Sequence, residues 1–430
     1  MDLKEAAALA LSMTPRPVVE DVGLQEALGR VLGRNIAAGR DIPAEARSRL
    51  DGYAVRSEDL AGATAAAPVS LRVLAGVSPA GYASESTVGP GWCARVLTGA
   101  PVPCGADLVI PQEKVFRRDD LIILEEPFPP GHGLIPGGGD ILESEALLGA
   151  GEVLGPTRLA LIAALGHVTV PVYRKPRVAL LATGDEVREL GESLDGPWTY
   201  CNNRQLLAAL VVVHGAETVQ LGVAKDNPAS IEERLRDVAA DLVISTGGMG
   251  RGDRDYVLDA WNNLGVELHF CDLNISPGKR SSLGSRGRQL LWGLPGNPWA
   301  AQLVFEELVA PVLWKTVGID RTQRPQIRAV LTSAVKKKKG LYLAVRGFLG
   351  MSSAPPTFTP VAGGEGSLFS RLRNSFAYTL LAPHVVEVAA GNEIQVCLHD
   401  FPLLARPILC QTDFRVGDAS TGAGSGPILD

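Results

Sequence analysis

The spacing of apolar residues changes several times along this chain, and each change predicts a different kind of element. Up to Asp41 the spacing is helical: MDLKEAAALALSMTPRP reads as an amphipathic opening helix, and VGLQEALGRVLG as a second helix after a break at Pro15 to Pro17. From Ile42 to Glu145 the apolar runs shorten to strand length between Gly and Pro, as in SLRVLAGVSPAG, GWCARVLTGAPVP and ADLVIPQEKV. Helical spacing returns in GPTRLALIAALGH, where Pro156 suits a first turn and Gly166 a stop. The pattern therefore predicts a β-rich domain (42–145) inserted into a discontinuous N-terminal helical or mixed domain (1–41 plus 146–175).

From Pro176 strand-like and helix-like runs alternate: RVALLAT, NNRQLLAALVVVHG, TVQLGVA, PASIEERLRDVAA, DLVIST, DYVLDAWNNLG, QLLWGLP and WAAQLVFEELVAPVL. Strand alternating with helix predicts a three-layer α/β domain (176–323) built on a mostly parallel sheet. IRAVLTSAV, LYLAVRGFLG, FTPVA and AYTLLAP predict a C-terminal β domain (324–405), and the Gly- and Ser-rich remainder (406–430) reads as a flexible tail. The fold class expected is multidomain α/β plus β.

Composition narrows the function. Of 430 residues, 41 are basic and 47 acidic, a formal net charge of −6, and aromatics are 5%. A polyanion-binding surface or a base-stacking platform needs the opposite, so no nucleic-acid partner is expected. The six cysteines are scattered without a C-x-x-C pair, as in reduced thiols of a cytoplasmic protein. LLAALVVVHG is too short to span a bilayer, so no membrane partner is expected.

In a parallel α/β sheet, ligands bind beyond the carboxyl ends of the strands, where small residues let the backbone approach and helix N-termini hold oxyanions. Three predicted strands end in such turns, presenting Thr183, Gly184 and Asp185; Thr246, Gly247, Gly248 and Asp253; and Pro295, Gly296, Asn297 and Pro298. Carboxylates accompany them: Glu186 beside Asp185, Asp255 beside Asp253, and Asp226 before a neighbouring helix. Carboxylates repel a phosphate directly but can hold Mg²⁺ that bridges to it. The competing reading is that they cap helices, which for Asp226 alone is the simpler one.

The stretches RPVVEDVGLQEALGRVLGRNIAAGRDIPAEARSRLDGYAVRSED, RVLTGAPVPCGADLVIPQE, IPGGGDI, LLATGDEV, STGGMGRGDRDYV and WGLPGNPWAAQLVFEELVAPVL, in this order, resemble the molybdopterin molybdenumtransferase (MoeA) family, to which the C-terminal enzyme domain of gephyrin also belongs. The resemblance runs from about Ala6 to about Phe401. It implies a Mg²⁺-dependent transferase that takes adenylylated molybdopterin and molybdate and releases AMP and the molybdenum cofactor. It also implies a homodimer with its active cleft between subunits, and contact with a molybdopterin adenylyltransferase. Carried over, the catalytic positions are Asp51, Thr98, Asp140, Glu186, Asp226 and Asp255, with Glu186, Asp226 and Asp255 as metal ligands. The molybdate positions are Lys279, Arg346 and Ser367.

The family's first lysine in its KPGKP-like segment is Ser276 here, an earlier basic position is Asp272, and Arg280 follows Lys279 in place of proline. Arg251 and Arg254 enter the glycine loop. Two expectations follow. Either Arg251 or Arg280 restores the lost attraction for an oxyanion, or the chain has altered metal, altered substrate or little insertase activity. The alternatives in function are an adenylyltransferase-like enzyme and a non-catalytic pterin-binding scaffold or carrier. Lys336 to Lys339 reads as a solvated hairpin, His132 and His167 as isolated, and Met249 as a packing residue.

Overall fold

The structure, a computed structural model, describes residues 1–82, 86–248, 256–319, 324–361 and 377–399. The chain divides into two compact units, Asn35–Gly149 and a second assembled from Met1–Arg34 with Ala150–Asp430. The expected tail (406–430) lies outside the described residues.

The opening helix, Leu3–Ser12, starts at an Asp2 cap whose carboxylate accepts from Lys4 N at 2.9 Å while Glu5 reaches back to the Asp2 amide. The second expected helix does not form. Val19–Gly23 is a strand paired antiparallel with Thr169–Tyr173, followed by a single 3₁₀ turn, Leu24–Ala27. Glycine is the reason: three glycines in eleven residues penalise the helix, and Gly29 sits at φ +75°. The backbone groups bond across the gap instead, Gly29 N to Leu154 O at 2.9 Å and Leu32 N to Glu152 O at 2.8 Å.

The α/β layer has strands β1 (Arg177–Thr183), β2 (Glu217–Ala224), β3 (Leu242–Thr246), β4 (Glu267–Phe270), β5 (Ser282–Arg286) and β6 (Gln289–Leu294). Their order is β2-β1-β3-β6-β5-β4. The first four are mutually parallel, and β5 and β4 extend the sheet by antiparallel pairing. Helices α1 (Asn202–Val213), α2 (Pro228–Leu235), α3 (Val257–Asn263) and α4 (Pro298–Val304) cover both faces. This explains the unbroken apolar runs. Val178 and Leu180 pack with Leu207 and Leu210 of α1 on one face. Their neighbours Ala179 and Leu181 pack with Ile231 of α2 and Trp261 of α3 on the other. Each large side chain so buried contributes roughly 1.5–3 kcal/mol. Strands β4 and β5 escaped the sequence reading because ELHF and SLGSR carry no sustained apolar period.

The long C-terminal helical run is interrupted by a π segment, Phe305–Val309, before helix Ala310–Thr316. Beyond it, strands Gln326–Leu331, Tyr342–Gly350, Thr357–Pro360, Ala377–Leu381 and Glu393–Leu398 form a barrel. The pairing of Leu343 with Leu381 and its neighbours closes the ring, and closure removes the exposed edges that an open sheet would leave.

The unit Asn35–Gly149 is built around a six-stranded sheet with Gly52–Val55 held between Leu108–Pro111 and Trp92–Val96. A Cβ at Gly52 would lie 2.0 Å from Ile110 O, so this contact admits only glycine.

Candidate active site

The chain leaves β1 for β2 on one side and then crosses to β3 on the other, so the topological switch falls between the ends of β1 and β3. The expected glycines meet there. Gly247 (φ +91°) and Gly248 (φ +61°) follow β3, and a Cβ at Gly247 would stand 2.7 Å from Thr183 O. A Cβ at Gly296, after β6, would lie 3.7 Å from the Gly247 Cα. Gly247 N donates to Leu294 O at 3.2 Å, and Thr246 Oγ1 to Pro295 O at 3.2 Å. Pro298 takes the first turn of α4, with the Asn297 side chain accepting from Ala300 N. The three loops thus form one surface of backbone and small side chains.

Carboxylates rim it. Asp185 N donates to Asp226 Oδ2 at 3.2 Å, and Asp226 N donates to Asp185 Oδ1 at 3.3 Å. The cap of α2 is Asn227, whose Oδ1 accepts from Ser230 N at 2.9 Å, so the capping role expected of Asp226 belongs to its neighbour. Glu186 is exposed on the same loop as Asp185. These hard oxygen donors suit Mg²⁺. Among the described residues no group of three or more His, Cys, Asp or Glu is gathered closely enough to hold a metal ion. The expected third ligand, Asp255, lies outside the described residues, as do Arg251, Asp253, Ser367 and Met249.

In the inserted unit, Asp51 precedes the central strand, and its Oδ1 accepts from both Thr98 N and Thr98 Oγ1 at 2.8 Å. These two bonds, backbone first, with the Arg95 charge adding to them, hold the Asp51 carboxyl below the usual carboxylate range. Thr98 is placed by Gly99, at φ +80°, whose amide donates to Ser48 O at 2.8 Å. Asp140 is anchored through its amide to Ile42 O at 3.0 Å. Its exposed carboxylate has no partner among the described residues.

Of the expected molybdate positions, Ser276 and Arg346 line one cavity of about 690 Å³ with Asn297, Trp299 and Lys336. The Arg346 guanidinium carbon lies 4.7 Å from the Trp299 ring centroid, a cation–π contact. Lys279 is exposed. Arg280 Nη1 bonds both Asp272 oxygens, at 3.0 and 3.1 Å, so the two residues that depart from the family pattern neutralise each other. Lys336 belongs to a short strand paired with Glu387–Val388, and Lys338 and Lys339 are exposed.

Two residues of this region escaped the sequence reading. Asn203, buried in the first turn of α1, donates through Nδ2 to Gly296 O at 2.7 Å and to Thr246 Oγ1 at 3.1 Å, tying two of the glycine loops together. Trp299 follows Pro298 and reads as a core residue. Its role under Arg346 comes from chain 47 positions away, which no local pattern signals. Asn203 had a local signal, a polar pair opening an apolar helix, which reads equally as a cap.

The family model of the MoeA N-terminal region (domain I and II) matches residues 1–166, and that of the probable molybdopterin binding domain matches residues 179–315. A molybdopterin molybdenumtransferase of Nostoc sp. is 35% identical over 75% of this chain and 76% of its own. Molybdopterin molybdenumtransferase 2 of Mycobacterium tuberculosis is 33% identical over 89% of this chain and 95% of its own. Among solved structures, a molybdopterin biosynthesis MoeA protein from Pyrococcus horikoshii superposes with a TM-score of 0.83 at 30% identity, covering 93% of this chain and 98% of that one.

Proposed function

Since the chain belongs to the molybdopterin molybdenumtransferase family and so serves molybdenum cofactor biosynthesis, we propose that it inserts molybdenum from molybdate into adenylylated molybdopterin and releases AMP. The observation that carries this reading is the crevice at the β1/β3 switch, where glycine-lined backbone meets the Asp185–Asp226 pair. Backbone amides and small residues accept a phosphate closely. Carboxylates at its rim demand a cation between them and that phosphate, and Mg²⁺ held by Glu186, Asp226 and Asp255 would supply that positive charge.

The chain's own groups divide the work. The glycine loops bind the pterin phosphates, and Asn203 keeps two of these loops in register. Asp51, held ionised by Thr98, acts as a hydrogen-bond acceptor at neutral pH and has no proton to give. Arg346, in cation–π contact with Trp299, offers donors to a tetrahedral dianion together with Ser276, Ser367 and Lys279. In this reading the enzyme works as a cytoplasmic homodimer and receives its adenylylated substrate from a molybdopterin adenylyltransferase.

One experiment tests the reading: AMP release from adenylylated molybdopterin with molybdate and Mg²⁺. Turnover that needs both ions is expected. No AMP release from the wild type, with the pterin still bound, supports the scaffold reading instead. Adduct formation from ATP and molybdopterin supports the adenylyltransferase reading.

A further inference from the structure

At the other end of the α/β sheet, where β1, β3 and β6 begin, a cavity of about 740 Å³ is lined by four arginines, Arg16, Arg174, Arg286 and Arg288, and one carboxylate, Asp241. The carboxylate is fully engaged. Its Oδ1 takes Arg174 Nη2 at 2.7 Å and its Oδ2 takes Arg177 N at 2.7 Å. Arg286 is braced by neutral acceptors, Leu235 O at 2.9 Å and Gln289 Oε1 at 3.0 Å, which fix the guanidinium without cancelling its charge. Gln289 is pinned in turn to Val238 O and Ala240 O. Arg16, set between two prolines, and Arg288, on the β5–β6 turn, are exposed and have no hydrogen-bond or ion-pair partner among the described residues.

Three uncompensated guanidinium groups around one concavity raise the electrostatic energy of the protein by itself, and an entering anion lowers it. This occurs in a chain whose acidic residues outnumber its basic ones. Planar guanidinium forks match phosphate oxygens, and the volume lies within the range of small-molecule sites. Pro15, Val18 and Leu290 supply an apolar wall. We propose that this cavity binds a small molecule bearing a multiply charged phosphate group, at a site separate from the reaction crevice. Gln289, in the cavity lining, and Leu294 are the two ends of β6, about 17 Å apart at the rise of an extended strand, so the occupant does not touch the glycine loops.

The test is calorimetric titration of the full chain with pyrophosphate at low salt, comparing wild type with the Arg16→Ala/Arg288→Ala double variant. Both side chains are exposed, and an unchanged thermal unfolding midpoint verifies the variant's fold. The expected result is one binding equivalent whose affinity falls at least tenfold in the double variant, with AMP release unaltered. Equal stoichiometry and affinity in the two proteins, or no binding by wild type at millimolar pyrophosphate, overturns the proposal. Tighter binding of a poly-glutamate peptide than of pyrophosphate, lost in the same variant, also overturns it by reassigning the cavity to an acidic protein segment.

Discussion

The protein holds its candidate site carboxylates in two different ways. In the inserted unit Asp51 stands alone, and one of its oxygens takes two short bonds from Thr98. In the α/β layer Asp185 and Asp226 stand side by side, each reaching the other's amide over 3.2 to 3.3 Å. The first arrangement stabilises a negative charge with donors and needs no cation. The second sets two formal charges of the same sign side by side, a repulsion that a divalent cation would relieve. One site is thus a fixed acceptor, and the other, on the proposed function, would be part of the Mg²⁺ site.

The largest effect is expected from Asp226→Asn. It leaves the loop's shape intact but removes the charge, so AMP release should fall roughly 100-fold. Mg²⁺ is expected to raise the unfolding midpoint of the wild type and of Asp51→Asn, and to leave that of Asp226→Asn unchanged. Equal Mg²⁺ stabilisation of the Asp226 variant and the wild type would break the contrast between the sites.

Next is Gly247→Ala. The backbone there has φ +91°, and the new Cβ would stand 2.7 Å from a carbonyl oxygen. A loss of about 1–3 kcal/mol in denaturant unfolding is expected. Gly62→Ala, where nothing lies within 4 Å and φ is ordinary, is the control and should change stability by less than about 0.5 kcal/mol.

A smaller and more specific effect follows from Thr98→Val. Losing the hydroxyl bond moves the Asp51 carboxyl back up toward its ordinary range. The folded-state value is depressed in the wild type, so the ionised form persists as pH falls and is lost only in strong acid. In the variant it is lost sooner. The acid limb of the pH–activity profile should therefore shift to higher pH, with activity near pH 8 changing less. An unmoved limb would mean that Thr98 does not control the charge of Asp51.

The smallest effect is expected from Arg280→Ala. The pair with Asp272 is partly exposed, so its stability contribution is below about 1 kcal/mol. Because Asp272 already neutralises Arg280, the KM for molybdate should not rise; a several-fold rise would show that Arg280 serves the anion directly.

Local chemistry made much of this legible. The central strands β1, β3 and β6 read correctly because both of their faces are buried and nearly every position is apolar. The glycines after β1 and β3 stood out because their positive φ and close approach leave few alternatives. Where local signals tied, the reading slipped. Asp226 and Asn227 are both good caps, and only the placement of β1 beside β2 hands the cap to Asn227 and turns Asp226 toward Asp185. VGLQEALGRVLG has helical spacing, yet its glycines and a partner strand some 150 residues later make it a strand and a turn.

By itself, then, the order of residues determined most of the elements, the loops that carry small residues, and the inventory of charges. These depend on neighbours within a few positions, through backbone sterics and the period at which side chains are buried. Tertiary structure alone decided which charges meet. Asp272 finds Arg280, Arg346 finds Trp299, and Arg16 joins Arg286 and Arg288 across some 270 residues. The physical reason is that an ion pair or a cation–π contact is set by distance in space, and no property of either residue's own segment encodes the partner the fold will bring.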